Sequence, residues 1–95
     1  MFARITNYKM KSDRLDEAMS LLGQLKPKIM AMPGMVQFIN AHDATGAGYV
    51  ISIVESEETS DANQEQVQAL WAQFADYLEA PPVPSGFGVV ADWTN

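Results

Sequence analysis

The chain has 95 residues, with 12 acidic against 6 basic side chains and a formal charge of −6. That sign repels phosphate backbones and anionic membrane surfaces, and no basic stripe with interleaved aromatics offsets it, so nucleic acid and membrane are excluded as partners. The absence of cysteine rules out disulfides, thiolate nucleophiles and cysteine metal sites. With no apolar run of about 20 residues and no long apolar leader, the expectation is one cytoplasmic domain spanning residues 1–95.

Residues 2–8 alternate, with Phe2, Arg4, Thr6 and Tyr8 on one face and Ala3, Ile5 and Asn7 on the other, which predicts a first strand. Ser12 or Asp13 is placed to cap a helix. Leu15, Ala18, Met19, Leu22, Leu25 and Ile29 follow at helical steps. Pro27 interrupts them and predicts a kink or a fresh turn. "PG" at 33 and 34 ends the unit. "MVQFINAH" (35–42) and "YVISIVE" (49–55) read as strands joined through "DATGAG" into a hairpin, with Gly46 and Gly48 able to take positive φ. A second helix is expected to start between Thr59 and Asp61. Val67, Leu70, Trp71, Phe74 and Leu78 form its apolar stripe, with Tyr77 flanking it. "APPVPSG" (80–86) reads as a loop and "FGVVADW" (87–93) as the last strand.

The order βαββαβ predicts an α+β, ferredoxin-like fold, a four-stranded antiparallel sheet with two helices on one face. Two helices cover only one side of that sheet. Alternation groups Ala3, Ile5, Val36, Phe38, Val50, Val54 and Val90 on one side. It groups Phe2, Tyr8, Met35, Ile39, Tyr49, Ile51, Ile53, Phe87, Val89 and Trp93 on the other. Either choice leaves large apolar side chains uncovered, each worth roughly 1.5–3 kcal/mol if buried. The surplus predicts a homodimer with sheets face to face.

In these features the chain resembles the dimeric α+β barrel superfamily, in particular the antibiotic biosynthesis monooxygenase-like group. The resemblance runs over the whole chain and is carried by the βαββαβ order, the long first helix with its late Pro27, the "MPGMVQF" join and the "SIVESEE" passage. It implies a sheet-to-sheet homodimer and a pocket in each subunit between helices and sheet. The implied chemistry is cofactor-independent oxygenation of quinol- or anthrone-like aromatics, or haem breakdown in one branch. Asn7 matches an asparagine that haem-degrading members use, and Trp71 their pocket tryptophan. The iron-ligating histidine of those members is missing from helix 2, and Val54 stands where polyketide-type members carry a tryptophan.

Several side chains carry two readings. Trp71 is either core packing or the flat wall of an aromatic site. Asn7 is either a solvated strand-end amide or the group that holds a substrate oxygen. His42, the only histidine, stands beside Asp43 as a remote base or as turn polarity. Arg4 is expected on the dimer face, paired with a carboxylate such as Glu55 or Asp92 or clamping an acidic ligand. Phe38, Tyr49 and Phe74 are expected to line the cavity. "ESEE" (55–58) is read as a solvated approach to helix 2, and "PPVP" as a stiff connector. Cofactor-free oxygenation needs an electron-rich substrate, desolvation, orientation and a proton acceptor. The functional expectation is therefore a monooxygenase acting on a small aromatic ligand without metal or other cofactor. A ligand binder and a structural dimerisation module on the same fold are the alternatives.

Overall fold

The computed structural model describes residues 1–95. Strands β1 (Phe2–Lys9), β2 (Met35–His42), β3 (Ala47–Val54) and β4 (Val83–Gly88) form one antiparallel sheet in the order β2-β3-β1-β4. Helices α1 (Leu15–Met30), α2 (Glu57–Ala62) and α3 (Gln64–Ala72) complete the ferredoxin-like architecture. The buried cluster joins Tyr8, Met10 and Val50 of the sheet side to Ala18, Leu25 and Ile29 of α1, with Met32 and Phe74.

Local chemistry departs from the sequence expectation at several places. No side chain caps α1; a 3-10 turn at Ser12–Arg14 leads into it instead. Arg14 then grips Glu17 through two bonds of 2.9 and 2.8 Å. α1 runs unbroken through the exposed Pro27, which stands in its last turn. The second helix begins at Glu57, where Ser56 Oγ accepts the Thr59 N–H at 3.1 Å. It divides at Asn63, whose buried amide donates to the Pro33 carbonyl at 2.9 Å.

The hairpin between β2 and β3 turns on Asp43, which accepts bonds from Thr45 N, Thr45 Oγ1 and Ala47 N. Those bonds hold its carboxyl below the usual carboxylate range. Gly46 takes positive φ (91°) there, and a side chain would also strike the Met10 carbonyl. Gly48 does not take positive φ but lies within β3, pressed against the Ala41 carbonyl.

β4 lies earlier than expected, over 83–88, and includes Pro84 opposite Thr6. A proline fits because β4 is an edge strand and needs no N–H on its open side. Residues 89–95 belong to no regular element.

A bulge sets the faces. Between Met35 and Gln37 the β2–β3 register shifts, so Val36 is an extra residue without a partner. The helix-facing side of the sheet therefore carries Phe2, Arg4, Thr6 and Tyr8 with Met35, Phe38, Asn40, Val50, Ser52 and Val54. The opposite side carries Ala3, Ile5, Asn7, Ile39, Tyr49, Ile51, Ile53, Val83 and Phe87. Both groupings expected from alternation thus mixed residues of the two faces. The surplus itself stands, since Ile39, Tyr49, Val83 and Phe87 are all exposed.

Candidate functional site

Between this sheet face and the helices lies an apolar cavity of about 80 Å³. Engineered dry cavities of about 150 Å³ admit one benzene ring. This one is smaller, but Met10, Met32 and Met35 line it. Unbranched thioether chains change rotamer readily, so the cavity can open to a single ring by moving methionines.

One wall is aromatic. α3 turns Trp71 against Tyr8 of β1, with ring centroids 5.7 Å apart and tilted by 51°. Phe74 follows at 6.1 Å from Trp71, and Tyr77 at 6.5 Å from Phe74 in an edge contact. Helical spacing thus becomes a chain of tilted rings, the arrangement that ring quadrupoles favour. Phe38 faces this wall from β2.

The polar groups gather at two places. At one, the Tyr8 hydroxyl donates to Asn40 Oδ1 and lies 3.4 Å from His42 Nδ1. Burial pushes the Tyr8 phenol up, and the Asn40 bond offsets this in part. Tyr8 is accordingly a neutral hydroxyl at physiological pH, able to donate or accept. At the other, Arg4 donates from Nε and Nη2 to Ser60 Oγ at 3.1 and 2.8 Å, and from Nη2 to Asp61 Oδ1 at 3.3 Å. Its guanidinium stands 5.4 Å from the Phe2 ring centroid.

Of the residues singled out from the sequence, the structure brings Trp71, Phe74 and Phe38 to this cavity. Asn7 and Tyr49 are cross-strand partners on the opposite face, both exposed. Their side chains do not reach the cavity, because odd positions of β1 and β3 point away from the helices. His42 is outside the lining and meets it only through Tyr8. Its neighbour Asp43 is engaged in the turn rather than with the imidazole. Arg4 faces the helices, not the outer face, and pairs with Asp61 rather than Glu55 or Asp92. Sequence reasoning missed Tyr8 and Asn40. The signal for Tyr8 was its parity with Arg4 and Thr6; for Asn40 it was parity with Phe38, once Val36 is set aside as the bulge.

No protein-family profile matches the chain, and neither does any curated protein. Solved structures do. A candidate antibiotic biosynthesis monooxygenase from Nitrosomonas europaea superposes with a TM-score of 0.78 at 17% identity, over 96% of this chain and 100% of that one. The NE2512 protein of unknown function from the same organism gives 0.81 at 18% identity, over 99% and 93%. Rv0793 from Mycobacterium tuberculosis gives 0.76 at 16% identity, over 98% of both chains. The chain has the ferredoxin-like fold of these structures. At such identities the likeness is one of fold, and the site must speak for the chemistry.

Haem, which the resemblance raises for one branch, does not fit this chain. α2 and α3 carry no histidine, and a cavity of about 80 Å³ is far too small for a porphyrin. No cluster of three or more His, Cys, Asp or Glu side chains is placed to hold a metal ion. No helix is long and apolar enough to cross a membrane.

Proposed function

We propose that the 95 residues act as one domain of a sheet-to-sheet homodimer that oxygenates a small, electron-rich aromatic in the cavity under Trp71. The observation that carries this reading is the meeting of an aromatic wall with a protonated Tyr8 hydroxyl that is bonded to Asn40 and within reach of His42. In such a reaction one atom of dioxygen enters the ring and the other leaves as water, with all electrons drawn from the substrate. The protein's part is to exclude water, orient the ring and take a proton. Trp71 and Phe38 hold the ring. Tyr8 meets a substrate oxygen, the role expected of Asn7, and His42 takes the proton through it.

A non-catalytic binder on the same fold is the second reading. It is favoured by His42 standing outside the lining, so that no ordinary base faces the cavity directly.

Oxygen uptake separates the two. The purified, metal-stripped protein is given single-ring hydroquinones, with dihydroxynaphthalenes and anthrones as larger comparisons. Uptake above the spontaneous rate is expected, reduced about 10²-fold in Tyr8→Phe, as for loss of a proton-transfer group, and abolished in Trp71→Ala. Binding of these compounds without uptake establishes the binder.

A further inference from the structure

We infer that the cavity selects an anionic ligand, an aromatic monocarboxylate whose carboxylate sits on Arg4. This rests on the reading of the cavity as an aromatic-ligand site and names the class of ligand it takes.

Arg4 is the only charged residue among those lining the cavity. Acids outnumber bases two to one in the chain, yet no carboxylate faces the cavity. Apolar walls screen this guanidinium less than water would, which strengthens its attraction to an oxyanion, and its one ionic partner is Asp61. The donors around it suit the same ligand. Ser60 Oγ accepts both Arg4 bonds, so its own proton is left to donate. Ser52 is the direct cross-strand partner of Arg4 on β3 and of Phe38 on β2, and it too lines the cavity. Arg4 gives Nε and Nη2 to Ser60 and Asp61, and Nη1 to neither. With Asp61 displaced, the Nη1 and Nη2 N–H groups form a planar two-pronged edge of the kind a carboxylate accepts from, with Ser60 Oγ on the guanidinium and Ser52 lining the cavity as the cross-strand partner of Arg4.

Asp61 is the rival for this cation. It meets Arg4 at 3.3 Å, but its side chain is 66% exposed against 20% for Arg4. With the carboxylate partner largely in solvent, this pair is screened by water and salt on the Asp61 side and is weakened accordingly. A ligand carboxylate arriving from the cavity side therefore competes with Asp61 on favourable terms. With the carboxylate at Arg4 and Ser52, the ring falls beside Phe38 and the Trp71 wall, the surfaces that the aromatic reading requires.

The test uses benzoate and benzamide, which share shape and ring and differ in charge. Both are titrated into ¹⁵N-labelled protein at neutral pH, following the Trp71 indole N–H and the Arg4 Nε–H resonances. Benzoate is expected to bind at least about tenfold more tightly than benzamide and to move both signals. Arg4→Met is expected to abolish the preference, bringing benzoate down to the affinity of benzamide. Asp61→Asn, a surface change that spares the fold, removes the rival and is expected to tighten benzoate about two- to fivefold without affecting benzamide. Equal binding of the two probes, or benzoate affinity unmoved by Asp61→Asn, overturns the anion assignment and leaves the aromatic cavity standing. Binding of neither probe at millimolar concentration overturns both.

Discussion

Tyr8 is buried and polar, which makes it costly to alter and informative to test. Its hydroxyl satisfies Asn40, so Tyr8→Phe removes one hydrogen bond and leaves the amide without that partner; a loss of about 1–2 kcal/mol is expected in urea unfolding. Its pH dependence has a definite sign. The folded state raises the Tyr8 pKa above the ordinary tyrosine value of 10.0, chiefly by burial. The stability this contributes is fully present below pH 10 and is lost as pH rises through the folded value, because only the unfolded chain ionises freely in between. Stability measured between pH 9 and pH 11 should therefore fall, and the fall should be shallower in Tyr8→Phe. A second residue-level test concerns Gly86, which pairs with Arg4 across β4 and β1. A Cβ there would lie 2.5 Å from Phe2 Cζ. Phe2 is buried and its ring also stacks beneath the Arg4 guanidinium, so it cannot simply swing away. Gly86→Ala is expected to cost about 1–3 kcal/mol by overpacking, read as a lowered melting temperature.

At the scale of elements, the helices show which signals a sequence carries and which it hides. α1 persists through Pro27 because the apolar stripe on either side, Leu25 and Ile29, is buried, and packing outweighs the propensity cost. The proline itself is exposed. Pro27→Ala should restore the missing N–H bond and stabilise the protein by about 1–3 kcal/mol, offset in part by the greater freedom of the unfolded chain. The stripes of α1 and of the second helix were legible from 3.6-residue spacing, and with them Trp71 and Phe74 as cavity residues. The division at Asn63 was not, because it depends on a bond to Pro33, thirty residues away in sequence. Val36 was illegible for a similar reason. A bulge is a relation between two strands, and alternation within β2 alone cannot show that one residue goes unpaired. Asn7 is a candidate through the family resemblance and Tyr49 through its aromatic ring, and neither signal tells which face of the sheet meets the helices, because packing decides that and not either strand alone. β4 is hidden in the sequence because Pro82 and Pro84 look like loop chemistry, and only its position at the sheet edge lets Pro84 stand within a strand.

The whole molecule leaves one face of its sheet uncovered. Tyr49, Phe87 and Val83 are 53%, 55% and 63% exposed on that face, and beyond β4 the tail holds Val90 and Trp93 almost free of their own chain, at 98% and 93%. Several large side chains at roughly 1.5–3 kcal/mol each exceed what a small domain ordinarily leaves in water, and a second copy offers the matching apolar face by two-fold symmetry. The homodimer we propose therefore predicts twice the chain mass in light scattering at micromolar concentration. Phe87→Asp places a charge on the uncovered face, on edge strand β4, where burial without a partner is strongly unfavourable, and is expected to shift the protein to monomer while the fold persists. Trp93 separates a sheet-to-sheet dimer that also engages the tail from one that does not. With Trp71 replaced by Phe, Trp93 is the sole indole. If the tail is gathered into the interface, its emission should shift to shorter wavelength and resist quenching as concentration rises through the dimer range, and Trp93→Ala should weaken association. A fully quenchable Trp93 in a protein of dimeric mass would confine the interface to the sheet, whereas a monomer mass would overturn the dimer and leave the exposed face without its proposed partner.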